Sequence, residues 1–140
     1  MWLPDFKYSD NVLAARYSNV SDYIECTAAA ILEMLRLVGN PKFDDDGLLT
    51  RGVLVRHLVL PNQLENTYGV LDWFADNLRG KGLLSLMCQF TPNGCPDFSH
   101  ALTANEYRRA VDYMHLLGIR DGFVQEMDAA REGFVPPWTV

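Results

Sequence analysis

The run Arg51-Gly52-Val53-Leu54-Val55-Arg56-His57-Leu58-Val59-Leu60-Pro61 constrains this chain more than any other stretch. It is rich in β-branched and aliphatic residues and is closed by a proline. Such a run reads as a strand buried on both faces, the kind found in parallel sheets. Alternation places Leu54, Arg56, Leu58 and Leu60 on one face and Val53, Val55, His57 and Val59 on the other. Arg56 then sits in the middle of an apolar face. A guanidinium there requires an anionic or carbonyl partner. A structural carboxylate satisfies that requirement, and so does the carboxylate or phosphate of a ligand.

The segments on either side fit an alternating α/β chain. Residues 1–8 read as a strand end running into a loop. Ser9 or Asp10 caps a short helix reaching Tyr17. Ser21 or Asp22 caps a longer one to Val38, with Ile24, Ala28, Ile31 and Leu35 at helical spacing and Gly39 as its stop. Residues 40–47 read as a polar loop. Its Asp44-Asp45-Asp46-Gly47 run lacks the spacing and terminal Glu of an EF-hand and reads as a solvated turn. After the central strand come a helix from Asn62 to Leu78, a second buried strand from Leu83 to Gln89, and a loop carrying Pro92, Gly94 and Pro96. Thr103 with Glu106 forms a capping box for a helix to Leu117. A short strand, Phe123-Val124-Gln125-Glu126, follows, and residues 127–140 read as an irregular tail. Strands alternating with helices imply βαβ units and a parallel sheet. The expectation is one α/β domain over residues 1–140, a parallel-sheet partial (β/α) barrel of about four strands with flanking helices. Four strands are too few to close an eightfold barrel.

Composition excludes several function classes. Asp and Glu outnumber Lys and Arg, 18 against 12, and the basic residues are mostly spread singly. Nucleic-acid binding needs a clustered basic face, so none is expected. No apolar run reaches membrane-spanning length and residues 1–5 lack the features of a signal peptide, so a cytoplasmic protein with no membrane partner is expected. Cys26, Cys88 and Cys95 are widely spaced and form no C-x2-C pair. Cys26 and Cys88 lie in apolar segments and read as core thiols, whereas Cys95 lies in a loop. No H-x-x-x-H, G-x-S-x-G, Walker or G-x-G-x-x-G pattern is present. The aromatic residues fall mostly in helical segments and read as core.

Polar residues do gather where strands end. Asp5 and Lys7 are two apart, so an extended backbone aims both the same way. Ligands of parallel α/β folds sit at the carboxyl ends of strands, and a carboxylate beside an ammonium there can hold a cation and an anionic group. The same pair also reads as simple solvation of a strand end. Arg56, Gln89 and Gln125-Glu126 fall at the same level.

Three separated segments carry a resemblance: Leu3-Pro4-Asp5-Phe6-Lys7-Tyr8, then residues 51–61, then Met87-Cys88-Gln89-Phe90-Thr91-Pro92, with Gly122-Phe123-Val124-Gln125-Glu126 following. In order and spacing they resemble the radical S-adenosylmethionine proteins of the pyruvate formate-lyase activating enzyme-like family, over the C-terminal half of that family's domain. The resemblance implies a partial (β/α)6 barrel that binds S-adenosylmethionine and a 4Fe-4S cluster and generates a 5′-deoxyadenosyl radical, with a partner protein as substrate. It places Asp5 near the methionyl carboxylate through a cation, pairs Lys7 with that carboxylate, and puts Arg56 in the cofactor pocket. Leu58 and Met87 would pack against the cofactor. Gln89 stands on the rim, next to Phe90, where activating enzymes carry a histidine.

The chain departs from the family in lacking C-x3-C-x2-C and the glycine-rich segment before the matching region. Three thiolates on one loop are what hold the cluster. The cofactor and cluster are therefore expected of a full-length parent, and this chain, as a fragment, is expected to bind no cluster and to be inactive alone. An uncovered sheet edge and inner face call for a missing N-terminal half or self-association. The alternative is a noncatalytic α/β module that works by associating with another chain.

Overall fold

A computed structural model describes residues 1–92 and 94–127. Its elements, in chain order, are α1 (Asn11–Ser18), α2 (Tyr23–Val38), β1 (Lys42–Phe43), β2 (Leu49–Arg51), β3 (Leu54–Leu58), α3 (Leu64–Leu78), β4 (Leu83–Met87), α4 (Ala104–Leu116) and β5 (Gly122–Val124). A single 3-10 turn, Pro96–Phe98, lies between β4 and α4. Of the expected tail, residues 127–140, all but Met127 lies outside the described residues.

The fold is mixed α/β, and its centre is a parallel sheet in the order β3-β4-β5. Residues 2–6 run beside β3, also in parallel, through bridges at Trp2 with Val53 and Asp5 with Arg56. Four backbone hydrogen bonds of 2.8–3.0 Å tie this segment to β3. Four extended segments thus lie side by side in the order of the sequence.

The helices cover one side of the sheet. Val53, Val55, His57 and Val59 are wholly buried there with Leu84 and Leu86, against Val70, Leu71, Phe74 and Leu78 of α3 and Ala110 and Met114 of α4. Ile31 of α2 and Phe6 complete this core. On the other side Leu54, Arg56, Leu58 and Leu60 are only half-buried, which corrects the expectation of a strand enclosed on both faces.

Local chemistry explains the element boundaries. The Asp10 carboxylate accepts from the Leu13 amide at 2.7 Å and starts α1. Thr103 and Glu106 form the capping box read from the sequence. At Gly122 an added Cβ would collide with the Leu84 carbonyl oxygen, so β5 joins β4 at a backbone approach that only glycine permits.

Two local expectations fail. Residues 40–47 are no simple loop: β1 and β2 form a small antiparallel hairpin, which takes Arg51 out of the central strand. Asp44 shapes its turn, its Oδ1 accepting from the Asp46 and Leu48 amides. Cys26 is exposed on α2 rather than buried in the core. Among the described residues no helix is long and apolar enough to cross a membrane.

Candidate functional site

The segment Asp5–Ser9 leaves the sheet at its carboxyl end and is held there by side chains. The Tyr23 hydroxyl accepts from the Lys7 amide at 2.7 Å and donates to the Asp5 carbonyl at 3.3 Å. Asn66 donates through Nδ2 to the Lys7 carbonyl at 2.9 Å and accepts the Ser9 amide at 2.7 Å. His57 Nδ1 lies 2.7 Å from the Phe6 carbonyl, and its Nε2 lies 3.0 Å from the Thr67 hydroxyl. A carbonyl only accepts, so Nδ1 carries the proton and Nε2 accepts from Thr67. Burial stabilises this neutral ring and pushes its pKa down to about 4. Backbone groups of Asp5, Phe6, Lys7 and Ser9 are therefore all fixed by side chains, and the rim that presents the Asp5 and Lys7 side chains is preorganised.

Asp5 and Arg56 are neighbours across the parallel bridge, so their side chains leave the sheet on the same face. Asp5 Oδ1 accepts from Arg56 Nε at 2.8 Å. The two side chains are 40% and 42% exposed, so Arg56 is not buried as its sequence position suggested. The partner that its apolar face demands is a structural carboxylate. Only Nε is engaged; among the described residues neither terminal guanidinium nitrogen has a hydrogen-bond partner. Lys7, two residues beyond Asp5, is exposed and makes no ion pair among the described residues. An ammonium and the open end of a guanidinium on one rim can together receive a carboxylate or a phosphate.

The other sequence-selected residues follow the sheet. Met87 pairs in register with Leu58, and both are half-buried on the open side. Ser85 lies opposite Arg56. Gln89 is exposed, two residues past the end of β4. Gln125 acts as a latch instead: its Oε1 accepts from the Cys88 amide at 3.1 Å.

Beside Lys7 and Leu58 lies a cavity of about 360 Å³ that the sequence reading missed. Tyr8, Tyr17, Phe90 and Phe98 line it together with Leu60. The Tyr17 and Phe98 ring centroids are 4.8 Å apart, and Phe90 meets Phe98 edge to face at 5.4 Å. Arg16, at the end of α1, sits 5.5 Å from the Tyr17 ring centroid and bonds Asp97 at 2.7 Å. The sequence signal was faint: Arg16-Tyr17 at a helix end, and Phe90 directly after the rim residue Gln89.

The cysteines do not converge. Cys26 is on the surface of α2, Cys88 is buried next to Gln125 just past β4, and Cys95 lines the cavity. Among the described residues no three His, Cys, Asp or Glu side chains lie close enough to hold a metal ion. The donor set fits a carboxylate-bearing ligand and does not fit an iron–sulfur cluster.

The chain is 27% identical over 117 residues to a Methanocaldococcus jannaschii protein named "Uncharacterized protein MJ0674", a match covering 80% of this chain and 30% of that protein. The chain thus spans less than a third of the length of the relative it matches. No protein-family model and no solved structure matches the chain.

Proposed function

We propose that this chain is the cofactor-rim half of a radical S-adenosylmethionine protein, similar to the pyruvate formate-lyase activating enzymes, and that the iron-binding half lies outside it. One observation carries the reading. At the carboxyl rim of a parallel sheet, Asp5 holds Arg56 by Nε alone among the described residues, which leave the end of the guanidinium and the Lys7 ammonium open on the same side. Sequential strand order and an inner face only half-buried among the described residues are what an arc of a (β/α)6 barrel requires, and the relative's greater length supports a longer parent.

In this reading Lys7 and Arg56 bind the methionyl carboxylate, Asp5 orients Arg56, and Leu58 and Met87 give the cofactor an apolar wall. Gln89 closes the rim. S-adenosylmethionine supplies, in the complete enzyme, the precursor of a 5′-deoxyadenosyl radical. The residues here bind and orient; they supply no electron, and the chain alone is inactive. The parent acts on a partner protein in the cytoplasm, and the open face is covered by the missing half or by a second copy.

Calorimetric titration with S-adenosylmethionine tests the reading. Binding weaker than about 100 µM is expected, roughly 5.5 kcal/mol or less, and Lys7→Ala and Arg56→Gln should each weaken it further. Binding that neither substitution changes overturns the assignment. The exposed apolar residues Leu3 and Phe123 support the second reading, a noncatalytic module that associates with another chain. The upstream DNA separates the two: an in-frame C-x3-C-x2-C supports the radical enzyme, and an unrelated gene supports the module.

A further inference from the structure

We propose that the aromatic cavity between α1 and the β4–α4 connection, which adjoins the face around Arg56, is a binding site for a small aromatic carboxylate. Its volume of about 360 Å³ lies at the lower end of the range for small-molecule sites. Its walls are rings from four separate parts of the chain, Tyr8, Tyr17, Phe90 and Phe98. Rings held at T-shaped and tilted angles offer both faces and edges, which a flat aromatic guest matches better than an alkyl chain does.

The charges around it favour a single negative group. Lys7 and Arg16 both line the cavity. Asp97 is already engaged by Arg16 at 2.7 Å and by the Tyr17 hydroxyl at 3.2 Å. The Tyr8 hydroxyl is paired with Ser18 at 2.8 Å. Asp97 and Tyr8 are thus satisfied by neighbouring groups, and among the described residues the Lys7 ammonium has no ion pair. One ammonium at the mouth of an apolar, ring-lined cavity suits a monoanion whose body is apolar. Burial and the bond to Asp97 raise the Tyr17 pKa, so its hydroxyl stays protonated and adds no competing charge.

The cavity shares Lys7 and Leu58 with the cofactor reading but uses the ring-lined pocket in place of the sheet face around Arg56. Calorimetry at pH 7.5 with 4-hydroxyphenylacetate as the probe tests it. One site per chain is expected. The neutral amide, 4-hydroxyphenylacetamide, should bind at least tenfold more weakly, and cyclohexylacetate, which keeps the charge but has no π face, several-fold more weakly. Lys7→Gln, at an exposed position, should cost about tenfold, and Phe90→Leu several-fold, with folding of both verified by thermal denaturation. Arg56→Gln should leave probe binding unchanged while weakening S-adenosylmethionine, so either reading can fail without the other. The proposal is overturned by equal affinity for acid and amide, by insensitivity to Lys7→Gln, or by absence of binding at millimolar probe.

Discussion

The two faces of β3 are built from nearly the same residue types and meet opposite surroundings. Val53, Val55, His57 and Val59 are each fully buried beneath the helices. Leu54, Arg56, Leu58 and Leu60 are half-exposed on the other side. The covered face holds the domain together through close packing. The open face contributes less to stability and presents the chemistry: the Asp5–Arg56 pair, Leu58 beside Met87, and Lys7 at the rim. A fold whose stability resides on one side of its sheet can leave polar groups incompletely satisfied on the other.

Removing packing from each face in turn gives the largest contrast. Leu86→Ala, on the covered face, should cost about 3 kcal/mol by loss of contacts and cavity formation. Leu54→Ala, on the open face, should cost under about 1 kcal/mol, because part of that side chain is already in water. Urea denaturation of the two variants measures the difference. Equal losses would mean that the open face is covered in solution, and light scattering would then show association.

The next effect comes from His57, the ionisable group on the covered face. Its pKa falls from 6.5 to about 4 on folding, because burial disfavours the imidazolium. Between those values the unfolded chain binds more protons than the folded one, so stability falls as pH falls. The loss begins near pH 6.5, reaches about 3 kcal/mol near pH 4 and levels off below. His57→Gln, which retains a donor and an acceptor without titrating, should remove this part of the pH dependence. An unchanged slope in that variant would show that His57 is not held neutral.

Smaller still is the latch from α4 to the sheet. The Tyr107 hydroxyl donates to the Leu86 carbonyl at 2.8 Å and accepts from the Gln125 amide at 3.0 Å. Tyr107→Phe keeps the packing and loses both bonds. A cost of about 1 kcal/mol is expected, read from the urea midpoint. Loss of amide-exchange protection should be confined to β5, where the Gln125 amide is attached; uniform loss would mean that the latch supports the whole sheet.

The covered face was largely legible in the sequence. Helical spacing marked α2, α3 and α4, the Thr103–Glu106 box marked a helix start, and aliphatic runs marked β3 and β4. Which face of β3 lies open was not legible, because leucine occurs both inside and at partly covered positions. The hairpin was missed because strands of two and three residues carry no readable period. At the site, Asp5, Lys7 and Arg56 stood out by charge and spacing. Their supports did not: Asn66 reaches Lys7 and Ser9 across 59 and 57 residues of sequence, and no local pattern encodes such a contact. The cavity was hidden for the same reason, since its rings come from segments that only the fold brings together.

The smallest predicted effect on stability bears most directly on function. Asp5→Asn keeps an oxygen that accepts from Arg56 Nε and removes only the charge. With both side chains about two-fifths exposed, solvent screens the pair, and the expected cost is under about 1 kcal/mol, fading further in high salt. The same substitution loosens Arg56 on the face proposed to bind S-adenosylmethionine, so cofactor affinity should fall while the melting temperature moves by less than about 4 °C. A stability loss above about 2 kcal/mol would mean that the pair is desolvated, and the open face would then be an interface covered in solution. A variant unchanged in both stability and cofactor affinity would leave the Asp5–Arg56 pair as simple solvation of a strand end, and the contrast between a stabilising face and a working face would lose its functional half.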